Sequence, residues 1–534
     1  MTTWHTVELP PMREEAVYGD RVVRCFAERP PSMHALLERA VAAHPDQDAV
    51  VHNGQRWSFR QLDAEVARIA GGLAARGVQA GERVVLFMGN RPAFMAVLFA
   101  VQRLGAIAVP IGEREQRPGL AYMLQQCGAC AIVFDQALAE RIPAPDEVPG
   151  LRLRLVVGEV DEASGALPLA ELRGNVQHAA PVREQDTALI LYTSGTTGRP
   201  KGAMLTHLNV AHSVRHYELC MGLRAGDRSA LAVPASHVTG LIAIIAAMVH
   251  IGGAVVMLSE FKAPAFLQLL EDERVTHTLM VPAMYQLCLL QPAFDRARLA
   301  SWRIGGYGGA PMPVSAIDAM AERLPGLTLI NAYGATETTS PTTMMPAGLT
   351  RAHADSVGIP LPCAQVRVVD DEGRELPRGE SGELWIGGPM VVPGYWDNPE
   401  ATAANFTEGF WHSGDLGSID ADGFVRLFDR KKDMLNRGGF KIYSVEVEHC
   451  LVALPGVVEA AIVGRPCPVL GERVHAFLYA PGLDHDDEAV RAHCRARLTD
   501  YKVPETITWS DTPLPRNAGG KLLKRLLREQ LSSA

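Results

Sequence analysis

Short, wholly apolar runs alternate with segments of helical period along most of this chain, and few folds accommodate that pattern. Residues 83–88 and 106–110 read as strands apolar on both faces, with a helix over 92–105 between them. Ahead of them Leu62, Val66, Ile69 and Leu73 recur at helical spacing until Gly77 stops the helix. Residues 278–281 and 302–304 repeat the strand theme. A strand apolar on both faces needs cover on both, which predicts parallel sheets layered between helices. At about 150 residues per domain, 534 residues allow three to four such units. The texture changes over about 350–429, where alternating strands at 365–369 and 382–386 are split by Asp371-Glu372-Gly373 and Pro377-Arg378-Gly379 turns. The expectation is a large α/β domain over 1–429 with a small β-barrel subdomain, followed by a small α+β domain over 430–534.

One stretch could mislead. Between Arg228 and Glu260 there is no Asp, Glu, Lys or Arg. Its longest continuous helical part, 238–249, spans about 18 Å against about 30 Å of bilayer hydrocarbon. A buried helix, a turn at Gly252-Gly253 and a buried strand over 254–258 fit better, and His237, His250 and Pro234 suggest that the stretch lines something polar.

The net charge of −9 speaks against a nucleic-acid partner. From residue 430 onward 16 Lys and Arg stand against 13 Asp and Glu, a net +3, leaving 35 against 47 in the rest. A basic flap facing an acidic body would suit a polyanionic ligand between them; ordinary solvated surface charge explains the same split equally well. Nine widely spaced cysteines do not make a secreted disulfide framework, and the lone Cys127/Cys130 pair lacks partners at zinc spacing. The first sixteen residues carry no basic-then-apolar leader pattern, so the cytoplasm is the expected compartment.

The strongest local signal is the segment Thr193, Ser194, Gly195, Thr196, Thr197, Gly198, Arg199, Pro200, Lys201, Gly202, which leaves the apolar run 188–192. Glycines let backbone approach a phosphate, hydroxyls add donors and Lys201 adds a point charge. Pro200, and the lack of Gly-Lys-Ser/Thr, exclude a Walker loop. The segment resembles the signature of the acyl-CoA synthetase, adenylation-domain and luciferase superfamily. Further elements follow in that superfamily's order: Asn331-Ala332-Tyr333-Gly334-Ala335-Thr336-Glu337, Trp411-His412-Ser413-Gly414-Asp415 (Ser where Thr is usual), Asp429-Arg430-Lys431-Lys432-Asp433 with Asn436-Arg437-Gly438-Gly439, and Pro515 to Lys521.

The resemblance implies two half-reactions, formation of an acyl-adenylate from ATP and thioester formation with expulsion of AMP, supported by ATP, Mg²⁺ and coenzyme A. It gives Thr193–Thr197, Gly198 and Lys201 to the phosphates, and Glu337 with Thr196 to Mg²⁺. Gly309, Ala310, Pro311 and Asn331, Ala332, Tyr333, Gly334, Thr336 go to adenine and its surroundings. Asp415 and Arg430 go to ribose, Lys521 to the reacting carboxylate and α-phosphate, and Lys432 to a hinge about which the last domain swings. His237, Thr239, Gly240, Tyr307, Gly308, Gly309, Gly334 and Pro341 would line the acid pocket, and Gly438, Gly439, Phe440 and Lys441 the CoA channel. Amino-acid-activating relatives place an Asp near here for the substrate ammonium; residues 231–245 hold none, so an uncharged acyl or aryl acid is expected. A ligase loading a carrier protein uses the same chemistry and is the alternative acceptor. A luciferase would need a specialised luciferin, and a non-catalytic nucleotide binder would have degraded these motifs. A homodimer is left open.

Overall fold

The computed structural model describes residues 4, 7–159, 165–193, 199–294, 298–438, 440–516 and 522–533. They form two compact units. The first comprises residues 1–366, 385–412 and 420–425; the second comprises 367–384, 413–419 and 426–534.

The first unit is built on two large sheets. One has seven strands in the order Lys201–Thr206, Thr187–Thr193, Ile107–Pro110, Arg83–Phe87, Ala129–Asp135, Leu153–Val157, Leu167–Pro168. Apart from the antiparallel hairpin that joins its first two strands, neighbouring strands run parallel, and Arg83–Phe87 and Ala129–Asp135 are almost wholly buried. The other has nine strands, and at its centre Thr328–Tyr333, Ile304–Tyr307, His277–Met280, Arg228–Leu231 and Ala254–Met257 are parallel neighbours. Helices Phe59–Ala75 and Pro92–Arg103 carry the expected apolar faces, the first closed by a Ser58–Gln61 capping box. Both core sheets therefore follow the strand–helix alternation of the sequence.

Two details depart from expectation. The strand expected at 302–304 lies at Ile304–Tyr307. Trp302 precedes it, stacks on Tyr285 at 5.8 Å and donates from Nε1 to the Ile304 carbonyl at 3.0 Å. The uncharged helix does not start as an α-helix: Thr239–Ala246 is a π-helix, continued by the α-helix Ala247–Ile251, the positive-φ Gly252 and the strand Ala254–Met257. Among the described residues no helix is long and apolar enough to cross a membrane.

A five-stranded sheet carries Gln365–Val369, Gly382–Gly387, Phe410–Ile419 and Phe406–Thr407 in that order, with Val425–Arg430 paired to Phe410–Ile419; the division between the units falls within its strands. In the second unit Gly471–Tyr479 is the central strand of a further sheet, pairing with Glu459–Cys467, Leu435–Arg437 and Thr506–Ser510, and the helix Ser444–Val452 packs on Glu459–Cys467.

Buried histidines tie the N-terminal hairpin Met12–Val17/Arg21–Phe26 and its neighbourhood to the helix His207–Met221. His207 Nδ1 accepts from the Met33 amide at 3.1 Å, and His212 Nε2 from the Phe26 amide at 3.1 Å. His212 therefore carries its proton on Nδ1 and donates it to the Leu208 carbonyl, 2.9 Å away. His216 Nε2 donates to the Pro362 carbonyl at 2.6 Å. Burial lowers these imidazoles to about 4 for His207, about 3 for His212 and about 4 for His216. They stay neutral in the fold and take up protons once unfolded, so stability falls as pH drops from about 6.5 toward 4, by about 1.4 kcal/mol per pH unit for each histidine. The thermal midpoint is expected to drop steeply between pH 6.5 and 5, and His216→Gln to flatten that slope; a midpoint unchanged over this interval would contradict the assignment.

Candidate active site

Parallel strands deliver their following loops to one edge, and ligands of open α/β sheets gather at that carboxyl edge. Three strands of the nine-stranded sheet do so here. Arg228–Leu231 leads to His237, Thr239 and Gly240; Ile304–Tyr307 ends in Tyr307, Gly308 and Gly309; Thr328–Tyr333 leads to Gly334 and Glu337. Tyr307 and Asn331 are parallel partners, so the adenine motifs leave adjacent strands side by side. Their approach is close: a Cβ on Gly308 would lie 2.3 Å from the Ala332 carbonyl oxygen, so only glycine fits. Gly309 takes a φ of +77°, and Gly309, Ala310 and Pro311 are exposed. Asn331 is buried, and its amide donates to the Ser356 carbonyl at 3.2 Å.

The acid-pocket candidates share this edge. A Cβ on Gly240 would meet the Pro234 carbonyl at 2.3 Å, which fixes glycine at the entry to the π-helix. His237 is exposed, and desolvation by the surrounding protein lowers its pKa, favouring the neutral ring. The Thr239 amide donates to His237 Nδ1 at 3.3 Å, so in the neutral ring Nε2 carries the hydrogen. Tyr307 is fully buried, with its phenol pushed up to about 12. Pro341 follows a cis peptide bond, and Ser340 before it meets the buried Tyr217 hydroxyl at 3.0 Å.

The phosphate segment joins the strands Thr187–Thr193 and Lys201–Thr206, whose ends Thr193 and Lys201 are directly paired. Ser194, Gly195, Thr196, Thr197 and Gly198 lie outside the described residues. Thr193 Oγ1 reaches Glu337 Oε1 at 3.3 Å across 144 positions of sequence. Glu337, only 8% exposed in the short turn Thr336–Thr338, also accepts from the Tyr395 hydroxyl on Oε1 at 2.9 Å. Lys201 Nζ lies 5.1 Å from the centre of the Tyr395 ring. Thr193 and Glu337 thus meet directly, and Lys201 joins them through the Tyr395 ring. Tyr395 was not foreseen: a tyrosine behind Pro393-Gly394 reads as an ordinary turn, and its sequence neighbours carry no chemical signature.

A Mg²⁺ ion takes hard oxygen donors, commonly one carboxylate plus substrate phosphates. The described residues contain no group of three or more His, Cys, Asp or Glu able to hold a metal by themselves. Glu337 fits the one-carboxylate arrangement: both hydrogen bonds fall on Oε1, and among the described residues Oε2 has no partner.

In the second unit, Arg430 Nε pairs with Asp415 Oδ1 at 2.7 Å and Arg430 Nη1 donates to the Ser413 carbonyl at 3.2 Å. The two ribose candidates are therefore neighbours. Next to them Lys431 pairs with Asp371 at 3.0 Å and Glu383 at 3.2 Å. Lys432 is exposed, its carbonyl accepting from Arg528 Nη2 at 3.2 Å. The CoA candidates form a hairpin: Leu435–Arg437 pairs with Phe440–Ile442, and Gly438 turns between them at φ +60°. Phe440 is exposed and stacks on Tyr501 at 4.6 Å, and Lys441 is exposed. Gly439 and Lys521 lie outside the described residues.

Known proteins carry the same architecture. Residues 37–396 match the AMP-binding enzyme model and residues 446–521 match the AMP-binding enzyme C-terminal domain. A feruloyl-CoA synthase of Amycolatopsis sp. is 37% identical over 92% of this chain and 97% of its own. The long-chain-fatty-acid–CoA ligase FadD13 of Mycobacterium tuberculosis is 32% identical over 93% and 98%. Among solved structures, an anthranilate CoA ligase in complex with anthranoyl-AMP superposes with a TM-score of 0.85 at 26% identity, covering 94% of this chain and 97% of that one. The o-succinylbenzoate CoA synthetase of Bacillus subtilis in complex with its acyl-adenylate gives 0.84 at 28%, covering 94% and 98%. Matched over two thirds of its length by the first model and over its last part by the second, the chain belongs to the AMP-binding enzyme family.

Proposed function

We propose that this protein is an ATP-dependent acid–CoA ligase acting on an uncharged acyl or aryl carboxylic acid. The observation that carries the reading is the buried Glu337 carboxylate set against Thr193 and the Lys201 hairpin, an arrangement suited to a metal-bound polyphosphate. In the first half-reaction a carboxylate oxygen of the acid attacks the α-phosphorus of ATP; the bond to the bridging oxygen breaks and pyrophosphate leaves. In the second, the CoA thiolate attacks the acyl carbon and AMP leaves with the bonding pair. Such chemistry asks for positioning and charge neutralisation. Lys201 and the segment 193–198 hold the β- and γ-phosphates, and Asp415 and Arg430 hold ribose. Adenine lies between Gly309–Pro311 and Asn331–Tyr333, with Gly334 and Thr336 beside it. Mg²⁺, held through Glu337 and Thr196, would neutralise phosphate charge. Neutral His237 offers Nε2–H to the acid carboxylate without adding charge beside it. Lys521 bridges that carboxylate and the α-phosphate.

The acid lies along the uncharged wall of Thr239, Gly240, Tyr307, Gly308 and Pro341. CoA approaches along Gly438, Gly439, Phe440 and Lys441. Domain 430–534 swings about Lys432 between the half-reactions. All nine cysteine thiols are free and buried, which fits a reducing cytoplasm.

Pyrophosphate release with a panel of aryl and fatty acids, followed by assay of free acyl-CoA, tests the reading. Acid-dependent release with acyl-CoA as product is expected; acyl transfer only to a phosphopantetheinyl carrier protein would replace CoA as acceptor. Lys521→Ala is expected to slow adenylation about 100- to 1000-fold, about 2.7–4 kcal/mol, the usual cost of losing a preorganised charge donor. It should leave thioester formation from supplied acyl-adenylate largely intact, and equal losses in both steps would remove that role. Lys432→Pro restricts the backbone at the hinge; pyrophosphate release should survive while acyl-CoA formation stalls, and two normal half-reactions would move the hinge elsewhere.

A further inference from the structure

Tyr395 has no role in the scheme above, yet it touches both of its charged phosphate-end residues. Its hydroxyl donates to Glu337 Oε1 at 2.9 Å, and its ring lies 5.1 Å from Lys201 Nζ. The residue is 4% exposed and tightly framed. Its backbone forms an antiparallel bridge to Ala203. The Met204 amide donates to the Gly394 carbonyl at 3.1 Å and the Trp396 amide to the Gly202 carbonyl at 2.7 Å. The Tyr395 amide donates to Thr402 Oγ1 at 3.0 Å, and the ring meets Phe406 edge-on at 5.8 Å. Upstream, the Val392 amide donates to the Glu337 carbonyl at 2.9 Å. The segment 392–396 is thus bonded on one side to the hairpin that carries Lys201 and on the other to the turn that carries Glu337.

We propose that Tyr395 is the positioning residue of the phosphate end: its phenol occupies Glu337 Oε1 so that Oε2 is left for the cation, and its ring seats the Lys201 ammonium. The physical basis is twofold. A carboxylate accepting two hydrogen bonds on one oxygen has lost its rotational freedom, so the other oxygen is presented in one place. A cation over an aromatic face is attracted to it even when partly solvated. The proposal rests on the reading of Glu337 as the cation holder.

The two contacts separate by mutation. Tyr395→Phe removes the hydroxyl and keeps the ring; Tyr395→Leu removes both, with Tyr395→Met in its place should the leucine variant not fold. Protein with one equivalent of an α,β-methylene ATP analogue is titrated with Mn²⁺, bound ion being read from its paramagnetic resonance signal; binding of the analogue alone is measured by calorimetry in EDTA. Tyr395→Phe is expected to weaken Mn²⁺ binding about tenfold, the scale of a lost hydrogen bond to a charged group, and to leave metal-free nucleotide affinity unchanged. Tyr395→Leu should lose the same factor for Mn²⁺ and a further two- to fivefold in metal-free nucleotide affinity. Wild-type Mn²⁺ binding by Tyr395→Phe overturns the hydroxyl's role, and metal-free affinity equal in the Phe and Leu variants overturns the seating of Lys201. Glu337→Gln serves as reference. If it binds Mn²⁺ as the wild type does, the assignment of Glu337 fails; if it is weakened while Tyr395→Phe is not, the inference about Tyr395 fails alone.

Discussion

A carboxylate held inside a protein must be hydrogen-bonded or paired, because leaving water uncompensated costs several kcal/mol. Glu337 meets that requirement with donors from two directions, Thr193 at the end of a strand in the seven-stranded sheet and Tyr395 on the segment between the strands Gly382–Gly387 and Phe406–Thr407. Since Glu337 itself hangs from the nine-stranded sheet, this one group gathers three distant parts of the chain. Everything proposed for the phosphate end relies on that convergence.

The glycines work by close approach rather than by flexibility. A side chain at Gly308 would strike the Ala332 carbonyl, and one at Gly240 the Pro234 carbonyl. The first contact brings the ends of two neighbouring parallel strands together, and the second folds the loop after Arg228–Leu231 onto the start of the π-helix. The cost of such approach is small where the strand ends are already fixed by their sheet partners, as Tyr307 is by Met280 and Asn331.

Much of this was legible in the residues, and the exceptions have physical causes. Strands such as Ile107–Pro110 announce themselves because burial on both faces leaves no polar position. The strand at Ile304–Tyr307 was misplaced by two residues because it contains Gly305 and Gly306, poor strand formers by propensity. Crowding by Leu329 and Leu279 selects them there. The π-helix was hidden because an unbroken apolar stretch has the same appearance at any helical period. For the candidate site, motif order singled out Thr193, Lys201 and Glu337, whereas Tyr395 could be recognised only once the chain brought it beside them.

The π-helix carries a consequence beyond its own geometry. A π-helical register differs from an α-helical one by a single residue, and such segments commonly mark functional sites. Thr239 and Gly240 open this one, so deletion of one codon within 239–246 would remove the extra residue of the π turn, repacking the buried residues 241–246 while the helix Ala247–Ile251 stays in register. The strands on either side would keep their pairing. Change in such a segment therefore need not proceed by successive replacement of its residues; a change in reading length of three nucleotides would repack this part of the core in a single evolutionary event.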